Sequence, residues 1–285
     1  MISIGLATSN EVPQLTETER ALIPHLRDLG IMAEPVIWEN KNLDFTRYDY
    51  IVIRSCWDYH LKIDRFKIWL DQLNQSKIPL ANPYEVVLEN TNKFYLQRLS
   101  EEGVKVVPTA WIKEATSEKV LAAMAKKQWA QAVLKPVVSA SAYHTYLISE
   151  NQLPPALDLD KMRDNTFMLQ PFLSEVSENG EWSLIFFNKA FSHAVLKQPK
   201  RGDFRVQEEL GGIAAPADPD PAIIRQARDI LDLYKAPLLF ARVDGIVRKN
   251  TFQLMELELI EPELFLLNDD LRQRFAKAIK KYVSG

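Results

Sequence analysis

The stretch QLMELELIEP, residues 253–262, spaces two glutamates two positions apart in a mostly apolar segment and adds a third before a proline. Side chains of a strand point alternately to its two faces, so one face is predicted to be acidic and the other to be apolar core. Taken alone, the pattern favours a solvated strand whose charges prevent edge-to-edge aggregation. The acidic face holds Glu256, Glu258 and Ile260, and the apolar face holds Met255, Leu257 and Leu259.

The strand predicted before this segment, LLFARVDGIV, contains ARVDG at residues 241–245. A hairpin turn at Lys249-Asn250 is predicted to bring Asp244 towards Glu256 and Glu258. Three converging carboxylates raise each other's pKa and repel unless a cation lies among them. Oxygen ligands suit a hard cation, and Mg²⁺ is the usual one because it shares its remaining positions with waters and phosphate oxygens. The pattern therefore predicts a magnesium site.

Two lysines indicate what the metal accompanies. Lys93 follows Asn92 at a helix start, and Lys135 ends an apolar strand in the sequence VLKP. A lysine in such a place is a compact, fixed positive charge that suits a phosphate. Each lysine, taken alone, is more typical of a solvated surface residue. Together with the carboxylates, they predict a bound nucleotide.

The composition bounds the class of protein. The chain has 285 residues, nine glycines and no low-complexity linker, which predicts two or three closely packed lobes. A net charge of -3, with basic residues scattered among acidic ones, argues against a nucleic-acid partner. The first residues lack a leader pattern, and no segment approaches the roughly 18 to 20 apolar residues that cross a membrane, so we expect a cytoplasmic protein. The single cysteine, Cys56, excludes an internal disulfide and a cysteine-clustered zinc site.

The order of elements predicts a mixed α/β fold. Strands alternate with helices in the first part, where Thr16 and Glu19 form a capping box that opens a helix and a second helix covers about residues 63–75. Short strands with one helix follow, and then two hairpins with turns at Asn188-Lys189 and Lys249-Asn250. The predicted lobes are a substrate lobe, a central lobe and a C-terminal lobe with the metal site, covering residues 1–90, 91–165 and 166–285.

The order of the motifs resembles that of the ATP-grasp superfamily of carboxylate-amine ligases. These motifs are NK at 92–93, VLKP at 133–136 with a small-residue loop after it, LQPF at 169–172, GEWS at 180–183, ARVD at 241–244 and MELELIEP at 255–262. The spacing from Glu256 to Pro262 resembles that of glutathione synthetase-like proteins, and a closer likeness to the O-ureido-serine cycloligases of cycloserine biosynthesis rests on RSCWDY, SHAVLK, GDFRVQ and ELIEP. It runs from about Arg54 to Pro262. The resemblance implies the ATP-grasp fold, in which an N-terminal parallel α/β lobe accompanies two lobes that clasp ATP.

The resemblance also implies residues that bind ATP and magnesium. Lys93 and Lys135 would hold the α and β phosphates, and Ser139 lies in the loop that follows. The hinge residues Gln170, Pro171, Phe172 and Leu173 would read the adenine edge, and Glu181 would bind the ribose. One or two Mg²⁺ ions would be bound by Asp244, Glu256 and Glu258.

The implied reaction transfers the γ-phosphoryl group of ATP to a substrate carboxylate. An amine then attacks the acyl phosphate, and ADP and phosphate are released. Positioning and charge stabilisation dominate phosphoryl transfer. The resemblance therefore leads us to expect catalytic roles for Arg242, Arg205 and Lys197, with Arg205 in a loop that could close over the site.

Arg54 lies at the end of a predicted parallel strand, where open α/β sheets bind ligands. A guanidinium there can grip a carboxylate by two parallel hydrogen bonds. We therefore assign Arg54, Trp57 and Asp58 to a small amino-acid substrate. The alternatives are that Trp57 packs between lobes and that Asp58 caps a helix.

Several questions stay open at this stage. The amine can belong to a second molecule or to the same one, so both a ligase and a cycloligase are consistent with the sequence. The other candidates are an enzyme that modifies a peptide or protein terminus, and a nucleotide-binding module without ligase chemistry. A homodimer is also left open. Two departures from the superfamily pattern are the loop VSASAYH, which has no glycine, and Glu258, where many relatives carry asparagine.

Overall fold

The computed structural model describes residues 1–140, 142–149, 152–155, 157–159, 162, 166–200, 202–206 and 210–285. These residues form three β-sheets with helices packed around them. The mixed α/β class predicted from the sequence is confirmed. None of the described helices combines the length and the apolar character needed to cross a membrane.

The first sheet is parallel and has the strand order β2-β1-β3-β4. The predicted capping box is present, since the Thr16 side chain accepts the Glu19 N-H and the Glu19 carboxylate accepts the Thr16 N-H. The strands are β1 (Ile2–Thr8), β2 (Ile31–Ile37), β3 (Tyr50–Ser55) and β4 (Leu80–Ala81), and the helices up to residue 101 are α1 (Glu17–Arg20), α2 (Leu22–Asp28), α3 (Ile63–Gln75), α4 (Tyr84–Asn90) and α5 (Tyr95–Glu101).

The second sheet is antiparallel and has the strand order β5-β8-β6-β7. Its strands are β5 (Ala110–Ile112), β6 (Gln131–Pro136), β7 (Tyr146–Ser149) and β8 (Phe167–Pro171), and helix α6 (Ser117–Lys127) covers it. Strand β8 pairs with β5 and β6, although the sequence analysis starts the third lobe at residue 166. The chain therefore passes from the second sheet to the third after Pro171.

The third sheet has the order β11-β10-β9-β12-β13. Both predicted hairpin turns are present, and Asn188, Lys189, Lys249 and Asn250 all have positive φ, as two-residue type I′ turns require. The strands are β9 (Glu181–Phe187), β10 (Ala190–Gln198), β11 (Ile213–Pro216), β12 (Phe240–Arg248) and β13 (Thr251–Glu258), and the helices are α7 (Ser174–Asn179), α8 (Pro221–Asp232) and α9 (Asp269–Ser284).

A β-bulge interrupts the pairing of β12 with β13. Asp244 pairs with Glu256 and Gly245 pairs with Leu254, so Met255 has no partner across the ladder. A Cβ on Gly245 would lie 2.4 Å from the Gln253 carbonyl oxygen, which explains the glycine. The predicted alternation is therefore wrong at Met255, which packs with a different apolar cluster from Leu257.

The first and third sheets share one core. Ile4 and Leu6 of β1 pack in the same cluster as Phe240 of β12 and Phe275 of α9. The helix-covered face of the second sheet has its own cluster, in which Val120 of α6 contacts the strands. The three sheets meet around a cleft that carries most of the predicted site residues.

Candidate active site

A cavity of about 450 Å³ lies where the three sheets meet. Its volume is in the range of small-molecule sites, about 300 to 1,000 Å³. Among the described residues no histidine or cysteine lines it. The structure brings together fifteen of the predicted site residues on its wall: Trp57, Lys93, Lys135, Ser139, Gln170, Pro171, Phe172, Leu173, Glu181, Lys197, Arg205, Arg242, Asp244, Glu256 and Glu258.

The β12-β13 hairpin supplies the acidic wall of the cavity. Arg242 lies opposite Glu258, and Asp244 lies opposite Glu256. Directly paired residues have Cβ atoms about 4.5 to 5.5 Å apart, so the hairpin register alone makes Asp244 and Glu256 neighbours. Asp244 is 2% exposed, and its Oδ1 accepts the Ser183 hydroxyl at 2.5 Å.

Each carboxylate of this wall is paired with a basic side chain. Lys93 Nζ lies 3.0 Å from Glu256 and donates to the Ser139 carbonyl at 2.7 Å. Arg242 Nη2 lies 2.6 Å from Glu258 and 3.0 Å from Asp244. Buried charges are tolerated when they are paired in this way.

Lys197 and Lys135 complete the basic set. Lys197 Nζ lies 2.5 Å from Glu181 and 3.4 Å from Asp244. Burial acts to lower the pKa of Lys197, but the charges of Asp244 and Glu181 outweigh it and raise the pKa. For Lys135, burial prevails and the pKa is lowered. The lysines predicted to contact phosphates thus share this cavity with the predicted metal and ribose carboxylates.

The acidic residues fit a hard cation in their chemistry but are not arranged around one. Within the described residues, no group of three or more His, Cys, Asp or Glu side chains has the arrangement of a metal site. Basic groups engage Asp244, Glu256 and Glu258 instead. The donors are carboxylate oxygens on adjacent strands, which is the type of ligand that Mg²⁺ takes. The predicted metal ligands therefore stay a prediction.

Glu258 differs from the other two carboxylates in its protonation. Burial acts to raise the pKa of Asp244 and of Glu256, but the neighbouring cations hold each pKa below its usual range. Burial raises the pKa of Glu258 to about 7, with Glu256 and Asp244 adding to the shift. The positive charge of Arg242 opposes that shift without overcoming it. Arg242 also pairs with Asp244, so two carboxylates share its charge.

We expect the buried Glu258 carboxyl group to contribute a loss of stability as the pH rises from about 4.5 to about 7. Folded Glu258 keeps its proton in that window, whereas the same group in the unfolded chain has lost it. The native state then binds more protons, so the free energy of unfolding falls with pH until the window ends. Urea unfolding of the wild type and of Glu258→Gln at about pH 5 and about pH 8 measures this. An unchanged pH dependence in the variant would contradict the assignment.

The predicted hinge lines the cavity, and some of its hydrogen bonds are already made. The Phe172 N-H donates to the Gln131 carbonyl at 3.0 Å, and Gln170 Nε2 donates to the Thr109 hydroxyl at 3.0 Å. The rings of Phe172 and Phe204 contact each other edge to face. In the described structure, the Phe172 N-H is therefore hydrogen-bonded within the protein and is not free to donate to an adenine edge.

Arg205 lies in the loop after β10 and lines the cavity. Its guanidinium pairs with Asp203, 2.8 Å from Nη2, and the same carboxylate accepts the backbone N-H of Phe204. Hydrogen bonds from Arg205 hold the pKa of Asp203 below its usual range, although burial opposes the shift. Asp203, which belongs to the same loop, thus holds the Arg205 side chain in place.

Two of the predicted substrate residues do not reach the cavity. Arg54 is 2% exposed, donates to Glu19 at 3.1 Å and to the Pro262 carbonyl at 3.0 Å, and does not line the cavity. Asp58 is buried, accepts the Trp38 indole N-H at 3.0 Å and pairs with Lys62 at 2.8 Å. The strand-end position of Arg54 predicted a contact with the substrate. Arg54 and Asp58 instead bind other groups of the protein. Only Trp57 of this set lines the cavity, and its Nε1 donates to the Glu261 carbonyl at 3.2 Å.

The sequence analysis missed the polar side chains that hold the acidic strand in place. Asn90 donates to the Leu257 carbonyl and accepts the Leu259 N-H, and the Tyr95 hydroxyl accepts the Leu257 N-H at 3.0 Å. Asn82 donates to the carbonyls of Phe240 and Leu259. The clustering of asparagines just before Lys93 was the only available signal. The third glutamate of the acidic segment, Glu261, also lines the cavity.

Comparison with known proteins identifies the fold. The family profile described as "D-cycloserine synthetase DcsG, N-terminal domain" matches residues 4–82. Cycloserine biosynthesis protein DcsG of Streptomyces lavendulae is 28% identical over 97% of this chain and 95% of its own. The crystal structure of D-cycloserine synthetase DcsG superposes with a TM-score of 0.87, at 24% identity and 99% coverage of both chains.

A second solved structure decides the fold family. The RimK domain ATP-grasp protein of Sphaerobacter thermophilus matches 99% of this chain and 100% of its own, with a TM-score of 0.73 and 14% identity. The chain has the ATP-grasp fold. It is similar to D-cycloserine synthetase over nearly its whole length, and the predicted resemblance to the ATP-grasp ligases is confirmed.

The likeness also reaches further than the sequence analysis placed it. The family profile covers residues 4–82, so the first lobe matches well before Arg54, where the predicted likeness began. A further neighbour, the ATP-grasp ligase PsnB, was solved with a phosphomimetic variant of its minimal precursor, Mg and ADP. It matches 100% of this chain and 99% of its own with a TM-score of 0.66 and 13% identity. A protein of this fold has thus been observed with ADP and Mg bound.

Proposed function

We propose that this ATP-grasp ligase activates the carboxylate of a small amino-acid substrate as an acyl phosphate and then joins it to an amine, with Mg²⁺ and release of ADP and phosphate. One observation carries the proposal: Lys93, Lys135 and Arg242 line the same cavity as the acidic Asp244-Glu256 pair. Such a cavity offers cations to a triphosphate and oxygens to its metal ion. The proposal places the enzyme in the cytoplasm, where ATP and Mg²⁺ are available.

The carboxylates Asp244, Glu256 and Glu258 would hold one or two Mg²⁺ ions. Bound Mg²⁺ neutralises the charge that develops on the β and γ phosphates. Lys93, which pairs with Glu256, is then released to hold phosphate oxygens beside Lys135. A basic side chain that pairs with a carboxylate in this structure would then pair with a phosphate oxygen when ATP binds.

The remaining basic groups suit the transferring and reacting centres. Arg242 reaches both Asp244 and Glu258, so its guanidinium lies at the metal end of the cavity. We assign Arg242 and Lys197 to the γ-phosphoryl group and Arg205 to the tetrahedral oxyanion. Preorganised donors of this kind commonly contribute about 10²- to 10³-fold to rate.

Two features favour a small substrate over a peptide terminus. The related protein from Streptomyces lavendulae acts in cycloserine biosynthesis, and its length is matched almost throughout. An open groove beside Arg54 would suit a peptide, but Arg54 is buried against Glu19. We therefore favour an amino acid that carries its own amine nucleophile, so that the ligation closes a ring.

The decisive assay incubates the protein with Mg-ATP and single carboxylic acids, and measures ADP, phosphate and new masses together. The panel contains O-ureido-D-serine, O-ureido-L-serine, D-serine and D-alanine, each with and without an added amine. Ring closure would give ADP, phosphate and a product lighter than the substrate without added amine. AMP and pyrophosphate would instead indicate adenylation and overturn the acyl phosphate.

A further inference from the structure

Glu261 is a buried carboxyl group on the cavity wall that no proposed step uses. It is 7% exposed and lines the cavity. In the described part of the chain, its Oε2 is fully buried and has no hydrogen-bond partner. A buried polar atom without a partner destabilises the folded protein, so its presence calls for a reason.

The basic groups of the cavity do not satisfy Glu261. Lys93 pairs with Glu256, Lys197 pairs with Glu181, and Arg242 pairs with Glu258. Burial raises the pKa of Glu261 well above its usual range, and the charge of Glu258 raises it further. A cation placed beside the group would favour its charged form.

The surroundings of Glu261 restrict what that cation can be. The Trp57 indole N-H fixes the Glu261 backbone by donating to its carbonyl, and Tyr59 also lines the cavity. Glu261 is three residues after Glu258, so it lies close to the acidic wall at the side formed by the first lobe. A cation that binds there comes from the contents of the cavity, which Glu261 lines.

We propose that Glu261 binds the ammonium group of the amino-acid substrate and sets the preference of the enzyme for α-amino acids over simple carboxylic acids. This deepens the proposed function and rests on it. The substrate then lies between Glu261 and the acidic wall, with its carboxylate towards the phosphates. A charge-assisted hydrogen bond from an ammonium group gives the Glu261 carboxyl group a partner, which the protein itself does not supply to it.

The test compares substrates that differ only in the ammonium group. The pairs are D-alanine with propanoate, D-serine with 3-hydroxypropanoate, and O-ureido-D-serine with 3-(ureidooxy)propanoate. Hydroxylamine in the assay traps the acyl phosphate, and kcat/KM for ADP release is measured for each compound. For the wild type, we expect the amino acid of the active pair to be preferred by about 10- to 100-fold.

The variant is Glu261→Gln, which keeps the shape of the side chain and removes its ability to become charged. We expect the preference for the amino acid to fall by about tenfold or more, with the KM for ATP and the melting temperature unchanged. Glu89→Gln is the matched control, because Glu89 pairs with Arg98 outside the cavity, and it should keep the wild-type preference. A preference that survives in Glu261→Gln overturns this inference while leaving the ligase proposal intact. ADP release with none of the six compounds overturns the proposed function, and this inference with it.

Discussion

Asp244→Asn is expected to lower the turnover of Mg-ATP by about 10²- to 10³-fold. The wild-type carboxylate is 2% exposed and lies opposite Glu256, where we propose a metal ion. Asparagine keeps the size of the side chain and can still accept from Ser183, but it removes the charge that the metal requires. ADP release at saturating ATP, measured over a range of Mg²⁺ concentrations, should show both a lower rate and a weaker apparent affinity for Mg²⁺.

The control for Asp244→Asn is Glu175→Gln. Glu175 pairs with Arg248 at 3.0 Å and does not line the cavity, so this variant also loses one paired carboxylate. We expect its turnover and its Mg²⁺ dependence to match those of the wild type. Asp244 is not a metal ligand if Asp244→Asn keeps the wild-type affinity for Mg²⁺ while its rate falls, because a purely structural loss would leave the metal requirement unchanged.

The hairpins were predictable because their signals are local. Two-residue turns require residues that tolerate positive φ, and Lys249-Asn250 lies between two segments of alternating character. Once that turn is placed, the register follows, and Asp244 must lie near Glu256. The same reasoning failed at Met255, because a bulge depends on how Gly245 approaches the partner strand.

The ion-pair partners of Arg54 and Lys93 were not predictable from the sequence, because each partner is distant in sequence. Arg54 ends a parallel strand, and strand ends commonly bind ligands. Its carboxylate partner is instead Glu19, which the capping box of the first helix brings to the strand end. Likewise, the pairing of Lys93 with Glu256 requires α5 to pack beside the third sheet, which no sequence periodicity encodes.

Arg54 connects three parts of the protein. Its guanidinium donates to Glu19, donates to the Pro262 carbonyl after the acidic strand, and lies over the rings of Phe240 and Phe275 at 5.2 and 5.6 Å. Ser55 also donates to Glu19. We infer that Arg54 acts as a positioning residue, which holds the segment after β13 against the first lobe.

Arg54→Met is therefore expected to lower the free energy of unfolding by about 3 to 5 kcal/mol, because it leaves the buried Glu19 carboxylate without a cation. Urea unfolding measures the loss, and Arg65→Met, which breaks the exposed pair with Glu39, should change stability by less than about 1 kcal/mol. Adding Glu19→Gln to Arg54→Met should restore part of the stability, since the unpaired charge is then gone. If Arg54 instead grips the substrate carboxylate, as its strand end first indicated, Arg54→Met will keep the wild-type stability and raise only the KM for the amino acid. One denaturation curve distinguishes the two outcomes. Loss of a guanidinium that only contacts substrate leaves the free energy of unfolding unchanged, whereas loss of one partner of a buried ion pair lowers it.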